Sequence, residues 1–336
     1  MSEIIKNRHE FMFYVSCVDA NPNGDPDMGN MPRVDPDTMH GIMTDASIKR
    51  RVRDYVSLFK TGEPGMDIFV EAGVNLNRKA AEAKVNAGVE LSDKTPAAVS
   101  KASLAACSKF WDVRTFGAVM STGPNAGQVR GPVQIPFARS LDPIQPQDIG
   151  ITRVACADNE SSAKSVDDWR NAESKSEADK LRTMGRKQFA PYGLYEIRGF
   201  VSARLAAQTG FTEDDLLVLM QACANMYDAT RSASKGTMSV VSPVIIFRHD
   251  GDSALPEEAR ANQALLGRMP AYRIFESVRV EKKPGIVVPR SHHDYTAEID
   301  MCVLHAGVKT GYLMPYADEI CWGSVPADSD WLTAKA

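Results

Sequence analysis

EFMFYVSCV at residues 10–18 and TDASIKRRVRDYVSLF at residues 44–59 are the two stretches that decide the fold. The first is rich in aromatic and β-branched side chains, which predicts a strand. The second has apolar side chains at helical spacing after Thr44 or Asp45, either of which can cap a helix. The predicted buried stripe of this helix is Ile48, Val52, Tyr55, Val56 and Phe59.

The later segments continue this alternation of strands and helices. Strands are predicted at residues 112–120, 194–205, 238–249 and 271–280. Between the second and third of these, Thr212 and Asp215 form a capping signature for a helix. Its predicted core face is Leu216, Leu219, Met220, Cys223 and Met226. The succession of elements predicts an α+β fold, with helices on one face of a sheet and a ferredoxin-like topology.

Two long segments do not fit this core and are predicted to be insertions. Residues 61–108 alternate Gly, Ala and Lys with weak helical periodicity, which indicates short helices. Residues 157–180 are the most polar stretch, and we predict that they form the mobile tip of a hairpin-like arm with sides at 151–155 and 184–192. Because no linker is visible, residues 1–336 are predicted to form one domain, with insertions at about 61–108 and about 150–192.

The composition is that of a globular protein. The hydrophobic fraction is 43% and the charged fraction 24%, which excludes wholesale disorder. The N-terminus carries charges where a signal peptide needs an apolar run. The longest apolar stretch, residues 240–247, is interrupted by Ser242 and Pro243 and is too short to span a bilayer. We therefore expect a soluble, cytoplasmic protein with no membrane partner.

The sequence contains no strong metal or cofactor motif. Its 6 cysteines are scattered without a C-x-x-C pair, so we expect reduced thiols. The run of His292, His293 and Asp294 could hold a metal ion, but a solvated loop cluster is the better interpretation. The glycine-rich segment at residues 123–131 is not followed by the Gly-Lys-Ser/Thr of a phosphate-binding loop. We predict no cofactor and no metal.

The helix at residues 44–59 is unusually basic for a chain of net charge −4. From Asp45 to Lys60 there are five basic and two acidic residues, a local charge of +3. A solvated helix face is the simplest interpretation. However, the charges have few acidic partners at i+4, lie in the first two turns, and follow a long loop of Asn, Pro, Gly and Asp at residues 21–36. Helix N-termini favour anions, so this pattern predicts a phosphate-binding corner.

The same residues carry a family resemblance. TDASIKRRVRDY at 44–55, after NPNGDP, resembles the backbone subunit of type I CRISPR surveillance complexes, the Cascade filament protein, and is most similar to its type I-C form. DVRTFGAV, APYGLYEIRGFVSARLA and NMYDATRSASKG are similar to further segments of that subunit in the same order. The resemblance runs from about residue 10 to about residue 250.

This resemblance implies an RRM-like palm of the RAMP superfamily, with inserted helical fingers and a β-hairpin thumb. Copies of the subunit stack head to tail along a CRISPR guide RNA, together with other Cascade subunits. Each thumb kinks the RNA, and the bases between the kinks stay free to pair with target DNA. Such a protein holds RNA through phosphate and 2′-hydroxyl groups rather than base edges.

The residues that match this role lie in the loops, the basic helix and the arm. The candidate RNA-binding residues are Asn21, Asn23, Thr44, Lys49, Arg50, Arg53, Arg186, Lys187, Phe189, Arg231 and Lys235. Phe189 could stack at a kink or simply pack. The resemblance implies Arg rather than Lys at position 235, which weakens the assignment of Lys235.

The loop before the basic helix leaves an enzymatic alternative open. It contains Asp25, Asp27, Asp35 and Asp37. Related subunits of type III complexes cut target RNA with one aspartate of the equivalent loop, so a metal-dependent endoribonuclease is the alternative. Asp-Pro-Asp units also form Asx turns, and we favour turns and no catalytic residue.

Overall fold

The computed structural model describes residues 2–157, 163–175, 182–325 and 332–335. In this part of the chain the helices are α1 (Asp45–Phe59), α2 (Leu76–Asn86), α3 (Pro96–Lys109), α4 (Trp111–Phe116), α5 (Val166–Lys175), α6 (Ala203–Thr209), α7 (Glu213–Ala229), α8 (Glu257–Leu266) and α9 (Ala271–Glu276). The strands are β1 (His9–Ala20), β2 (Gly24–Asp25), β3 (Met31–Pro32), β4 (His40–Met43), β5 (Gly117–Met120), β6 (Gly127–Arg130), β7 (Val133–Gln134), β8 (Ala138–Pro143), β9 (Gln147–Arg153), β10 (Thr183–Val201), β11 (Met238–Val240), β12 (Val244–His249), β13 (Val278–Lys282), β14 (Tyr295–Asp300), β15 (Val308–Leu313), β16 (Cys321–Trp322) and β17 (Leu332–Lys335).

A large antiparallel sheet organises the molecule. Its strand order is β16-β15-β12-β1-β10-β8-β4, with β7, β9 and β11 pairing outside this path. The strands β1 and β10 pair along almost the whole of β1, from His9 opposite Val201 to Ala20 opposite Ala190. The predicted first strand at residues 10–18 and the mixed α+β fold are both confirmed.

The two predicted amphipathic helices cover one face of this sheet. Val52 of α1 and Leu219 of α7 are fully buried in the same apolar cluster as Phe11 and Phe13 of β1. Thr44 caps α1 through its side chain, and Thr212 and Asp215 form a capping box at the start of α7. Both capping predictions are confirmed, because a cap depends only on residues within one turn of the helix start.

The opposite face of the sheet is also covered, which differs from the prediction of helices on one face. Met12 and Tyr14 alternate with Phe11 and Phe13, so they point to the other side. There they join a second apolar cluster with Phe275 of α9 and residues of β13 and β14. The chain beyond residue 250 therefore supplies a second layer.

Residues 111–116 form helix α4, so the predicted strand at 112–120 is wrong except for its last residues, which form β5. All six side chains of α4 are buried. A helix buried on every side has no polar face, and its period cannot be distinguished from that of a buried strand.

Three other predicted strands have different limits. The strand at 194–205 ends at Val201, because Ser202 caps α6 by accepting a hydrogen bond from Leu205 N. The stretch 238–249 is two strands interrupted around Pro243, which cannot donate to the sheet. Residues 271–276 form α9 after Pro270, and the strand begins only at Val278.

The segment at residues 61–108 was predicted to contain short helices, and it contains α2 and nearly all of α3. Helices α2 and α3 pack together around Phe69, Ala83, Ala102 and Phe110, a separate apolar cluster. This confirms helices within 61–108.

The arm is a hairpin of β9 and the first part of β10, with Arg153 opposite Thr183 and Gln147 opposite Phe189. Its predicted polar tip, 157–180, contains α5, while residues 158–162 and 176–180 of it lie outside the described residues.

Candidate nucleic-acid interface

Asn23 joins the long loop after β1 to the start of α1. Its side-chain Oδ1 accepts hydrogen bonds from Thr44 N at 2.8 Å and from Thr44 Oγ1 at 2.9 Å. The Thr44 hydroxyl in turn accepts from Ser47 N at 3.3 Å, which is the N-cap contact. Asn23 O also accepts from Arg33 N at 3.0 Å, so this residue is held from two sides.

Lys235, which is distant in sequence, forms hydrogen bonds with the same loop. Its Nζ donates to Asn21 O at 2.8 Å and to Pro22 O at 2.5 Å. Asn21 N donates to Ser234 O at 2.8 Å. The structure thus brings Asn21, Asn23, Thr44 and Lys235 into one network, which we call the corner.

The charge of the corner differs from the sequence-based expectation. The basic residues predicted on α1 each have a carboxylate partner: Lys49 with Asp45 at 3.0 Å, Arg50 with Asp54 at 2.6 Å and Arg53 with Asp112 at 2.8 Å. Two of these pairs have i,i+4 spacing, so the expectation of few acidic partners was wrong. The third partner is distant in sequence and was not recognisable from the helix alone.

Arg53 is part of the packing between α1 and α4. Its side chain is 12% exposed, and its guanidinium lies 5.2 Å from the ring centre of Phe116. The Asp112 carboxylate also accepts from Phe69 N at 2.7 Å and Val70 N at 3.0 Å. Arg53 therefore neutralises a buried carboxylate that organises the insertion. Its contact with RNA stays a prediction.

Arg51 is the basic residue of α1 that the sequence reasoning did not select. Its Nη1 donates to the carbonyl and the hydroxyl oxygen of Thr230, both at 3.1 Å. Among the described residues it forms no ion pair with a carboxylate. Arg51 thus contacts the loop at residues 230–237 and Lys235 lies in it, and in the part of the chain that the structure describes neither forms an ion pair with a carboxylate. No local sequence signal identifies Arg51, because its role depends on the packing of α1 beside Thr230.

Burial, and secondarily the positive charge of Arg51, lowers the pKa of Lys235 to about 8. Arg231, whose contact with RNA stays a prediction, lies in the same loop. It pairs with Asp228 and donates to Gly236 O at 2.6 Å.

The two basic residues of the arm that were predicted to bind RNA lie on opposite faces of the hairpin. Arg186 and Lys187 are neighbours on β10, so they point to opposite faces of the hairpin. Arg186 pairs with Asp148 at 3.2 Å. Lys187 lies opposite Ile149, on the same face as Phe189, and has no hydrogen-bond or ion-pair partner among the described residues.

The loop aspartates form turns. Asp25 accepts from Asp27 N at 3.1 Å, and Asp35 accepts from Asp37 N at 3.1 Å, which confirms the predicted Asx turns. A hydrogen bond from Arg139 to the Asp35 carboxylate, together with the Asp37 N–H, lowers the pKa of that carboxyl. Asp35 also forms an ion pair with Arg139 at 2.6 Å.

The described residues contain no group of three or more His, Cys, Asp or Glu side chains able to hold a metal ion. In the run at residues 292–294, the Asp294 carboxylate accepts from Arg290 N and Ser291 N and caps a short 3₁₀ helix. None of the helices in the described ranges combines the length and apolar character that crossing a membrane requires.

Comparison with known proteins identifies the family. The sequence profile of a family described as "CRISPR-associated protein Cas7" matches residues 7–300. The chain therefore belongs to the Cas7 family. A CRISPR-associated protein Cas7 from Haloferax volcanii is 38% identical over 119 residues, which are 34% of this chain and 33% of the relative. That match thus spans about a third of the length of the curated relative.

Two solved structures are similar at 16% identity. A chain of a "CRISPR RNA-guided surveillance complex, pre-nicking" matches with a TM-score of 0.44, covering 78% of this chain and 84% of that chain. A chain of a "CRISPR RNA-guided surveillance complex" matches with a TM-score of 0.37, covering 80% of each.

Proposed function

We propose that this protein is the RNA-binding backbone subunit of a Cascade surveillance complex, of type I-C, and that it has no catalytic role. Several copies would follow one CRISPR guide RNA, with other Cascade subunits at the ends. The guide bases would stay free to pair with target DNA. The observation that carries the proposal is the corner, where Asn23, Thr44 and Lys235 join three distant segments in a chain of the Cas7 family.

The chemistry of the corner suits a phosphate group. The first turn of α1 has backbone N–H groups without partners inside the helix, and the helix dipole adds partial positive charge there. Arg51 contributes a full charge, and no carboxylate among the described residues forms an ion pair with it. Helix N–H groups and cations bind phosphate without reading bases, as a guide-holding protein requires.

The architecture supports the division into palm, fingers and thumb. The palm would be the four strands in the order β12-β1-β10-β8, with α1 and α7 connecting them. Two strand–helix–strand crossovers on one antiparallel sheet are the ferredoxin-like arrangement. The fingers would be α2 and α3, and the thumb would be the hairpin of β9 and β10.

The thumb would approach the guide with the face that carries Lys187. This face also bears Phe189, Ile149 and Ile151, and both isoleucines are more than 40% exposed. A two-stranded hairpin alone is marginally stable in water, so an apolar face on it favours a partner that covers it. A cation beside apolar side chains suits a nucleotide, whose phosphate and base offer both kinds of contact.

The experiment measures RNA affinity at several salt concentrations for two RNAs of unrelated sequence. We expect similar affinities for both. The variant Arg51→Ala should weaken both equally and flatten the dependence of log Kd on log salt by about one unit, as expected for one lost phosphate contact. The control is Arg279→Ala: Arg279 is an exposed arginine of β13, paired with Asp300 of β14, and its replacement should leave the slope unchanged.

Two results would overturn the proposal. One is absence of RNA binding by the purified chain together with absence of co-purified nucleic acid. The other is cleavage of a complementary RNA in the presence of magnesium, at regular spacing and lost in Asp35→Ala or Asp37→Ala. That second result would make the protein an endoribonuclease.

A further inference from the structure

We propose that Lys235 is a positioning residue, which holds the turn at residues 21–23 against the start of α1 and acts on guide RNA through Asn23 and Thr44. It is not itself a phosphate contact. This inference rests on the proposed function, since it concerns how the corner is made ready for RNA. It assigns Lys235 a role different from the direct contact that the sequence predicted.

The contacts of Lys235 point to the protein rather than outwards. An ammonium group has three N–H donors. Two of them are used by adjacent carbonyl groups, Asn21 O at 2.8 Å and Pro22 O at 2.5 Å. Both carbonyls belong to a chain segment more than two hundred residues away. With two donors used in this way, Lys235 retains at most one N–H for any further partner.

The two carbonyls lie next to the residue that meets α1. Pro22 has a fixed φ angle, so holding its carbonyl also restricts the orientation of Asn23. Asn23 Oδ1 then accepts from Thr44 N and Thr44 Oγ1. The chain of contacts therefore runs from Lys235 through Pro22 and Asn23 to Thr44.

The groups around Lys235 show how its buried charge is stabilised. The charged and titratable groups that influence it are Arg51 of α1 and the buried thiol of Cys17 on β1, and Asp19 acts on Cys17 in turn. Among the described residues no carboxylate pairs with it. A partly buried cation without an anionic partner is unfavourable, and here backbone carbonyls provide its solvation. Such an arrangement is costly to retain unless its geometry is needed, which favours a positioning role.

The test compares Lys235→Met with Arg51→Ala: Lys235 lies in the loop at residues 230–237, and Arg51 contacts Thr230 of that loop. We expect Lys235→Met to weaken RNA binding about tenfold at a fixed salt concentration, with the salt slope of the wild type, because preorganisation is lost but no phosphate contact. Arg51→Ala should lower the slope by about one unit. In the free protein, Lys235→Met should accelerate hydrogen exchange at the amides of Thr44 and Arg33, which bond to Asn23.

Asn23→Ala provides a second variant that leaves Lys235 intact, in case Lys235→Met folds poorly. It should reproduce the weaker binding at unchanged slope, and the double variant should bind no more weakly than the more severe single variant. A slope reduced by about one unit in Lys235→Met, with unchanged exchange at Thr44, would overturn the inference and make Lys235 a direct contact. Failure of the wild type to bind RNA would instead contradict the proposed function, and the exchange measurement would still decide whether Lys235 positions the loop.

Discussion

The guanidinium Nε of Arg53 lies 2.8 Å from a carboxylate oxygen of Asp112, and this pair joins the basic helix to the base of the inserted helices. The Asp112 side chain is 1% exposed and also binds the backbone N–H groups of Phe69 and Val70. A residue that the sequence assigns to RNA binding therefore also neutralises a buried carboxylate.

Replacing Arg53 is expected to destabilise the fold. Arg53→Met leaves the Asp112 carboxylate buried without its cation, which should lower the free energy of unfolding by about 3 to 5 kcal/mol. Arg50→Met is the matched control: the Arg50 side chain is 47% exposed, and loss of its surface pair with Asp54 should cost less than about 1 kcal/mol. Urea denaturation of both variants measures the difference. Equal effects would show that Arg53 is not a structural ion-pair partner.

The two basic residues of the arm should differ in their effect on RNA binding. Lys187→Ala should weaken binding and lower the salt slope by about one unit, since this side chain shares a face with Phe189. Arg186→Ala should leave the slope unchanged, because Arg186 points to the other face and pairs with Asp148. Titrations at several salt concentrations give both slopes. An equal loss for the two neighbours would contradict the assignment of a single RNA-facing side.

His9 should make the fold sensitive to acid. Burial, and secondarily the positive charge of Arg248, lowers the pKa of His9 to about 3 from 6.5. Because the folded pKa is the lower one, the stabilisation from neutral His9 is complete above pH 6.5 and is lost as the pH falls towards 3. We expect His9→Gln to reduce the pH dependence of the free energy of unfolding between about pH 6 and pH 4 by up to about 1 kcal/mol per pH unit.

Denaturation curves of the wild type and His9→Gln across this range provide the measurement. His305→Gln, at an exposed position, is the control and should retain the wild-type pH dependence. If the curves of wild type and His9→Gln stay parallel, His9 does not titrate as its burial implies.

Lys235 should make the free energy of unfolding depend on pH in the alkaline range. Its folded pKa of about 8 lies below the ordinary 10.5, so its unfolded form binds more protons between these values. Its contribution to stability is therefore lowest below pH 8 and rises as the pH increases towards 10.5. The free energy of unfolding of the wild type, minus that of Lys235→Met, should increase over this range by up to about 1 kcal/mol per pH unit.

Thermal or urea unfolding without RNA measures this difference. Lys101→Met on α3, an exposed lysine, is the control, and the corresponding difference should not change with pH. A constant difference for Lys235→Met as well would mean that its ammonium group is as solvated in the folded as in the unfolded protein.

Local patterns predicted the elements that depend on neighbouring residues. Thr44 and the pair of Thr212 and Asp215 were recognised as caps, because the groups that they bind lie within one helical turn. The first strand was recognised from its aromatic and β-branched side chains. The Asx turns of Asp25 and Asp35 were likewise local, since each carboxylate binds an N–H two residues away.

Helix α4 was missed because distant residues determine it. Asp112 pairs with Arg53 of α1, and Arg114 forms two hydrogen bonds with Asp215 of α7, at 2.8 and 2.9 Å. These ion pairs allow charged side chains to be buried on a helix with no polar face. Without its partners, the same stretch has the composition of a strand.

By itself, the sequence determined the mixed α+β fold, the capped helices, the hairpin arm and membership of the Cas7 family, since periodicity, caps and motifs are properties of adjacent residues. Only the tertiary structure decided the contacts of Arg51, Arg53 and Lys235. It paired Arg53 with Asp112, placed Arg51 against Thr230 with no carboxylate partner among the described residues, and turned Lys235 towards Asn21 and Pro22. The physical reason is that neutralisation depends on distances of a few ångströms between groups far apart in the chain, which packing alone determines.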